Sequence, residues 1–223
     1  MTPHAVTAVA TPQAVQCVQA VAGSEPFSMI DQQAGLVVKL AKMLGEVLQG
    51  KESAHSLRLH DLEQRREELQ RRHRAAVIGM PEPCVGADEL QWTLETLDRV
   101  AAGLFRTARR CHQVLPSSDE VTGEIVASIH KAAVSLRHGY ARLANGSPAA
   151  EFDAEAAMAS ASPGRALRLC ELHGNLNGIA CELGRAAAIL KRWSRQMAAG
   201  LPEATLRANA QTADFATVGG QLI

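Results

Sequence analysis

From Phe27 the apolar residues of this chain recur at alternating spacings of three and four: Phe27, Ile30, Ala34, Val37, Ala41, Leu44 and Leu48. This period places them on one stripe of a helix that packs along another helix, and Gly50 supplies a C-terminal stop. Leu90, Leu94, Leu97, Ala101, Leu104, Ala108 and Cys111 repeat the pattern. So do Leu169, Leu172, Leu176, Ile179, Leu183, Ala186, Leu190, Trp193 and Met197. An alternation of period two, the mark of a half-buried strand, fits none of these segments.

Two further helices follow from capping and patterning. Ser117 with Glu120 forms a capping-box signature opening a segment with Ile125, Ile129, Ala132, Leu136 and Leu143 inward, closed at Asn145-Gly146. A charged helix runs from Ser53 to about Ile78 on a thin stripe of Leu59, Leu62, Leu69 and Ala76, with Arg66 and His73 in the seam positions between. Gly79-Met80-Pro81-Glu82-Pro83 breaks it, because proline lacks the amide donor and clashes with a continuing helix. A short segment, 148–161, starts at Ser147-Pro148 and carries Phe152 as its only large apolar residue; Ser162-Pro163 ends it. Six helical segments with short connections predict an all-α, six-helix antiparallel bundle over residues 25–200. Residues 1–24 read as a flexible N-terminal arm and 201–223 as a flexible C-terminal tail.

Composition sharpens this picture. The chain has 223 residues, of which 47% are hydrophobic, yet only four Phe, two Trp and one Tyr. Its core must therefore come from aliphatic residues and alanine, the best helix former. Lys+Arg and Asp+Glu number 23 each, which gives no electrostatic footprint for nucleic acid. Cys17, Cys84, Cys111, Cys170 and Cys181 form no CxxC pair and read as buried free thiols in a reducing compartment. The N-terminal tract lacks the basic region of a secretory signal, and no apolar run is long enough to span a bilayer, so the expected location is the cytoplasm.

Candidate chemistry is sparse. No glycine-rich phosphate loop, nucleophile elbow or HExxH helix occurs, and Glu-x-x-His, which a di-iron bundle needs on two helices, does not occur twice. His60, Glu63 and Glu67 share one face of the second helix, and Glu63-x-x-x-Glu67 can aim two hard oxygens at one cation. The plain alternative is a solvated face, with Arg65, Arg66, Arg71, Arg72 and Arg74 as ion-pair partners. His130 and His173 read as satisfied histidines at packing edges, Trp92 and Trp193 as core or rim packing. Asn175 and Asn177 either bond across an interface or face water.

The stretch Phe27-Ser28-Met29-Ile30-Asp31-Gln32-Gln33-Ala34-Gly35-Leu36-Val37-Val38 resembles the opening helix of the PhoU-like putative phosphate transport regulators. Leu62-Glu63-x-x-x-Glu67 is similar to that family's Leu-Glu-x-x-x-Asp. Asp88-Glu89-Leu90, running on to Leu97-Asp98-Arg99-Val100, looks like its Glu-Asp-Ile … Leu-Asp-Asp-Ile. The resemblance covers roughly residues 25–198. It implies two three-helix halves and a non-enzymatic accessory role beside a Pit-type inorganic phosphate transporter, at the inner face of the plasma membrane. It also implies a residual metal cluster of Glu63, Glu67 and Asp98 for a weak divalent or ferric ion. That cluster is depleted here, because Arg99 and Ala102 stand where further acids are expected, as do Asn175 and Asn177 in the second half, where Glu151 and Glu155 stand for one cluster. Two other readings stand beside this one. One is a metal-dependent helical enzyme using His60, Glu63, Glu67 and Asp98. The other is a self-associating bundle, such as a homodimer, joined through the Leu169–Met197 seam.

Overall fold

Six helices, and no strand, make up residues 25–78, 87–114, 120–161 and 171–200, which the computed structural model describes. They are α1 (Glu25–Leu48), α2 (Leu57–Ile78), α3 (Ala87–Val114), α4 (Glu120–Ala144), α5 (Ala150–Ala161) and α6 (Glu171–Gly200). The all-α bundle expected from the periodicity is what forms. The two terminal arms, the Pro81-Pro83 break, the Ser117 cap, the Ser162-Pro163 stop and Leu169 lie outside the described residues.

Helices α1, α3, α6 and α4 form a ring in which each packs on the next, while α2 lies across α1 and α3 and α5 across α4 and α6. Directions follow from cross-helix pairs. Asp31 meets Arg137 and Gly45 faces Val126, so α1 and α4 are antiparallel. Glu89 meets Arg192 and Arg99 meets Glu182, so α3 and α6 are antiparallel as well. Thr122 meets His173 and Gly139 lies under Leu190, which makes α4 and α6 parallel, as expected for helices separated by two reversals. The chain thus runs up-down-up through α1–α3 and down-up-down through α4–α6, and the long helices of the two triplets interlock.

The predicted seams fill the core. Ile30, Ala34, Val37, Ala41 and Leu44 of α1, the whole α3 stripe from Leu90 to Cys111, and Leu172 to Trp193 of α6 are buried. On α1 the buried stripe is wider than the sequence pattern and takes in Met29, Leu36, Leu40 and Met43, because this helix has neighbours on three sides. Phe27 stacks on Trp193 with ring centroids 5.3 Å apart. The α6 seam proposed for self-association is consumed inside the single chain.

Helix ends are set locally. Gly50 and Gly146 both adopt φ of 66°, and each closes its helix in the same way. Gly50 N–H donates to Val47 O and Lys51 N–H to Glu46 O; Gly146 N–H donates to Leu143 O and Ser147 N–H to Arg142 O. Only glycine takes this left-handed turn without strain. Helix α2 starts at Leu57, four residues later than the sequence reading. Ser53 is used in a turn, its Oγ accepting from His55 N–H, and Ser56 is the cap, its Oγ accepting from Leu59 N–H at 3.3 Å.

Helix α5 packs through alanine. Ala150, Ala154, Ala157 and Ala161 face inward, whereas Phe152 is 72% exposed. Their shortness lets α5 sit close to α4, where Gly139 leaves room: a Cβ there would lie 3.1 Å from Asp153 Cβ. Beside it Tyr140, fully buried, donates its hydroxyl proton to Ala186 O at 3.1 Å and takes a hydrogen bond from Thr93 at 3.2 Å. Burial raises this phenol well above its ordinary pKa.

Among the buried polar residues described, Gln33 is the most poorly served. Gln33 is 0% exposed, and neither end of its amide has a hydrogen-bond partner. A buried amide left unbonded loses its hydration without recompense. Gln33→Leu is therefore expected to raise the unfolding free energy by about 1–2 kcal/mol, read from the urea midpoint at unchanged slope.

Candidate functional site

The sequence-nominated carboxylates lie on α2 and α3, which cross antiparallel. Polar residues in the α2 seam decide what surrounds them. Arg66 occupies a core-facing position, and its Nη1 donates to Asp98 Oδ1 at 2.9 Å and Oδ2 at 3.2 Å. Gln70, one turn on, donates to Oδ2 at 3.0 Å. Asp98 thereby accepts three hydrogen bonds from the facing helix, and the Arg66 guanidinium meets its charge. Glu63 accepts from Arg109 Nη2 of α3 at 3.1 Å, and His60 Nδ1 stands 3.9 Å from the same oxygen. Glu67 shares the face as expected but is exposed.

The arrangement brings arginine guanidinium groups to the Asp98 and Glu63 oxygens. Among the described residues no group of three or more His, Cys, Asp or Glu side chains is placed to hold a metal ion. A metal at Glu63, Glu67 and Asp98 would have to displace Arg66 and Arg109 or lie beside their charge, which opposes it. The second-half acids are engaged likewise. Glu151 accepts from Arg195 at 2.6 Å and Glu155 from Lys191 at 2.7 Å; the Lys191 ammonium holds the Glu155 carboxyl below its ordinary pKa. Asn175 lines a groove between α3 and α6, while Asn177 is half-buried with its Oδ1 buried and without a hydrogen-bond partner.

Among the other nominated side chains the tryptophans fall as read from the sequence, whereas Cys181 is not the buried thiol expected. His173 is buried and bonded to Thr122 Oγ1 at 3.0 Å. Trp193 is core, and Trp92 sits at the rim beneath the Arg192 guanidinium, 4.8 Å from its ring centroid. Of the cysteines described, Cys111 is buried and its thiol is pushed up to about 11 by burial, whereas Cys181 is exposed.

Two depressions flank the Asp98–Arg99 ridge of α3. One, about 590 Å³, lies between α3 and α6 and is lined by Arg99, Arg106, Thr107, Gly174 and Gly178 among others. The second, about 410 Å³, lies between α2 and α3, with Gln70, His73, Val77 and Leu94 in its wall. His73 is 6% exposed, and its Nε2 has no hydrogen-bond partner. Burial, aided by the nearby Arg72 charge and opposed by Asp98, lowers its pKa to about 4. Sequence reasoning placed His73 in the seam but had no signal for the cleft, which forms only when α3 is docked.

A depressed histidine fixes the sign of a pH effect. Between pH 6.5 and 4 the unfolded chain takes up a proton at His73 that the folded chain refuses, so stability falls on acidification through this window and levels off below it. The expected loss is roughly 2 kcal/mol, because solvent screens part of the effect. His73→Phe should remove this component, as checked by urea unfolding at pH 7, 5.5 and 4.

No protein-family model, curated protein or solved structure matches the chain.

Proposed function

We propose that this chain is a non-enzymatic accessory protein of inorganic phosphate transport, acting by binding the cytosolic side of a Pit-type membrane transporter. The observation that carries this reading is the organisation of the bundle. Helices α1–α3 pack on one another, as do α4–α6, and this grouping supports a reading as the two three-helix halves that the family resemblance implies. Among the described residues no helix is long and apolar enough to cross a membrane, and a peripheral role fits that. The mechanism is docking of a bundle face, with the arginine-filled acidic positions working as structural ion pairs instead of as a metal centre.

Affinity purification of the tagged full chain from its host membrane fraction is expected to retain a phosphate permease, and deletion is expected to change phosphate uptake. Unchanged uptake together with no permease in the eluate would remove the transport reading. Stoichiometric iron, manganese or zinc lost on Glu63→Ala would favour a metal-dependent enzyme in its place.

A further inference from the structure

We propose that the groove between α3 and α6 is a binding site for an oxyanion, a carboxylate or phosphoryl group carried on a small compact molecule. This inference rests on the groove alone and does not depend on the transport reading. The groove measures about 590 Å³, within the range of small-molecule sites. The pairing of Arg99 with Glu182 and of Gly103 with Ile179 fixes the register of the two helices. That register sets Arg106 and Thr107 opposite Gly174 and Asn175, and all four line the groove.

The charged side chains of the wall divide between its two ends. At one end Asp98 is met by Arg66, and Glu182 by both Arg99 and Arg185, so these carboxylates are answered within the protein. At the other end Arg106 and Arg110 stand one turn apart on α3, and among the described side chains the excess charge there is positive. Arg106 is exposed and forms no ion pair or hydrogen bond among the described residues. Thr107 beside it is only 2% exposed, yet its hydroxyl also lacks a partner among the described residues and is not shut off from solvent. Across the groove Asn175, half-buried, has a side-chain amide in the same state. A guanidinium donates two parallel N–H bonds to a carboxylate or phosphate, and a hydroxyl and an amide add donors beside it. An oxyanion takes all of these donors and answers the charge; water takes the donors and leaves the charge. A Cβ at Gly174 or Gly178 would meet nothing within 4 Å, so this wall leaves room for the body that carries the anion.

The test titrates benzoate and phenyl phosphate into the ¹⁵N-labelled full chain, with benzamide as the uncharged control. At least one anion is expected to bind saturably and to shift the Arg106 Nε–H, the Thr107 amide and the Asn175 side-chain amide. The tighter of the two identifies the group as carboxylate or phosphoryl. Benzamide should bind about tenfold more weakly or worse, because a hydrogen bond to a charged group outweighs a neutral one. Arg106→Gln should raise the Kd of the anion by about tenfold or more, whereas Arg71→Gln, which removes an exposed arginine of α2 outside the groove, should leave it unchanged. Gly178→Leu builds into open space, so it should abolish binding without lowering the melting temperature, with circular dichroism confirming the fold. Equal affinity for benzamide, shifts confined to other residues, full affinity in Arg106→Gln, or no saturable binding of either anion would overturn the proposal.

Discussion

Asp98→Ala is expected to destabilise the protein by about 3 kcal/mol. The side chains of Asp98 and Arg66 are only 18% and 20% exposed, so removing the carboxylate strands a guanidinium between two helices. The stranded group is poorly served already, because Arg66 Nε is buried without a partner. Gln70 loses its acceptor in the same step. Replacing both charges tests the cause: Asp98→Leu with Arg66→Met keeps the volume, removes the desolvated pair and should recover most of the loss. An exposed pair offers the contrast. Glu151→Ala, which breaks a contact to the 63% exposed Arg195, should cost less than 1 kcal/mol. Guanidinium chloride unfolding of the four proteins decides it. A loss below 0.5 kcal/mol for Asp98→Ala, on the order of a solvated surface pair, would show that solvent reaches the α2/α3 interface.

Gly139→Val is expected to cost about 3 kcal/mol or more, and to do so through α5. A Cβ at this position would lie 2.5 Å from Leu190 Cδ2, 3.1 Å from Asp153 Cβ and 3.5 Å from Ala150 O. Leu190 is 0% exposed and has nowhere to turn, and the Asp153 and Ala150 atoms move only if α5 moves. Overpacking in a filled core costs about 1–3 kcal/mol even for small additions, and here three helices meet. Gly123 lies on the same helix with nothing within 4 Å of its Cβ position, so Gly123→Ala should stabilise by about 0.5–1 kcal/mol through helix propensity. Thermal melts of the two variants should therefore shift in opposite directions.

Legibility in the sequence followed the size of the side chains. The stripes of α1, α3 and α6 are built from Leu, Ile and Val set against polar neighbours, and position after position is buried as read. Helix α5 hides its seam, because Ala150, Ala154, Ala157 and Ala161 give no contrast with the alanines around them, while Phe152 points to solvent. The acidic face of α2 was visible through its spacing, but the partners of its seam were not. Asp98 lies 32 residues from Arg66, and Arg109 lies 46 from Glu63, separations over which no helical period carries information. Arg66 and His73 stood out as interruptions of an apolar stripe. That one became a salt-bridge anchor and the other a cleft wall was decided by α3.

The hydroxyl of Tyr140 joins α3, α4 and α6 at a single buried point, where Thr93 and the Ala186 carbonyl meet it. This knot ties the first triplet to the second, and the ring of long helices does the same, since α1 rests on α4 and α3 on α6. Neither triplet encloses a dry interior of its own. Cooperativity is therefore a property of the entire bundle: the chain is expected to melt in one transition, and a fragment ending after α3 would present the apolar sides of α1 and α3 to water.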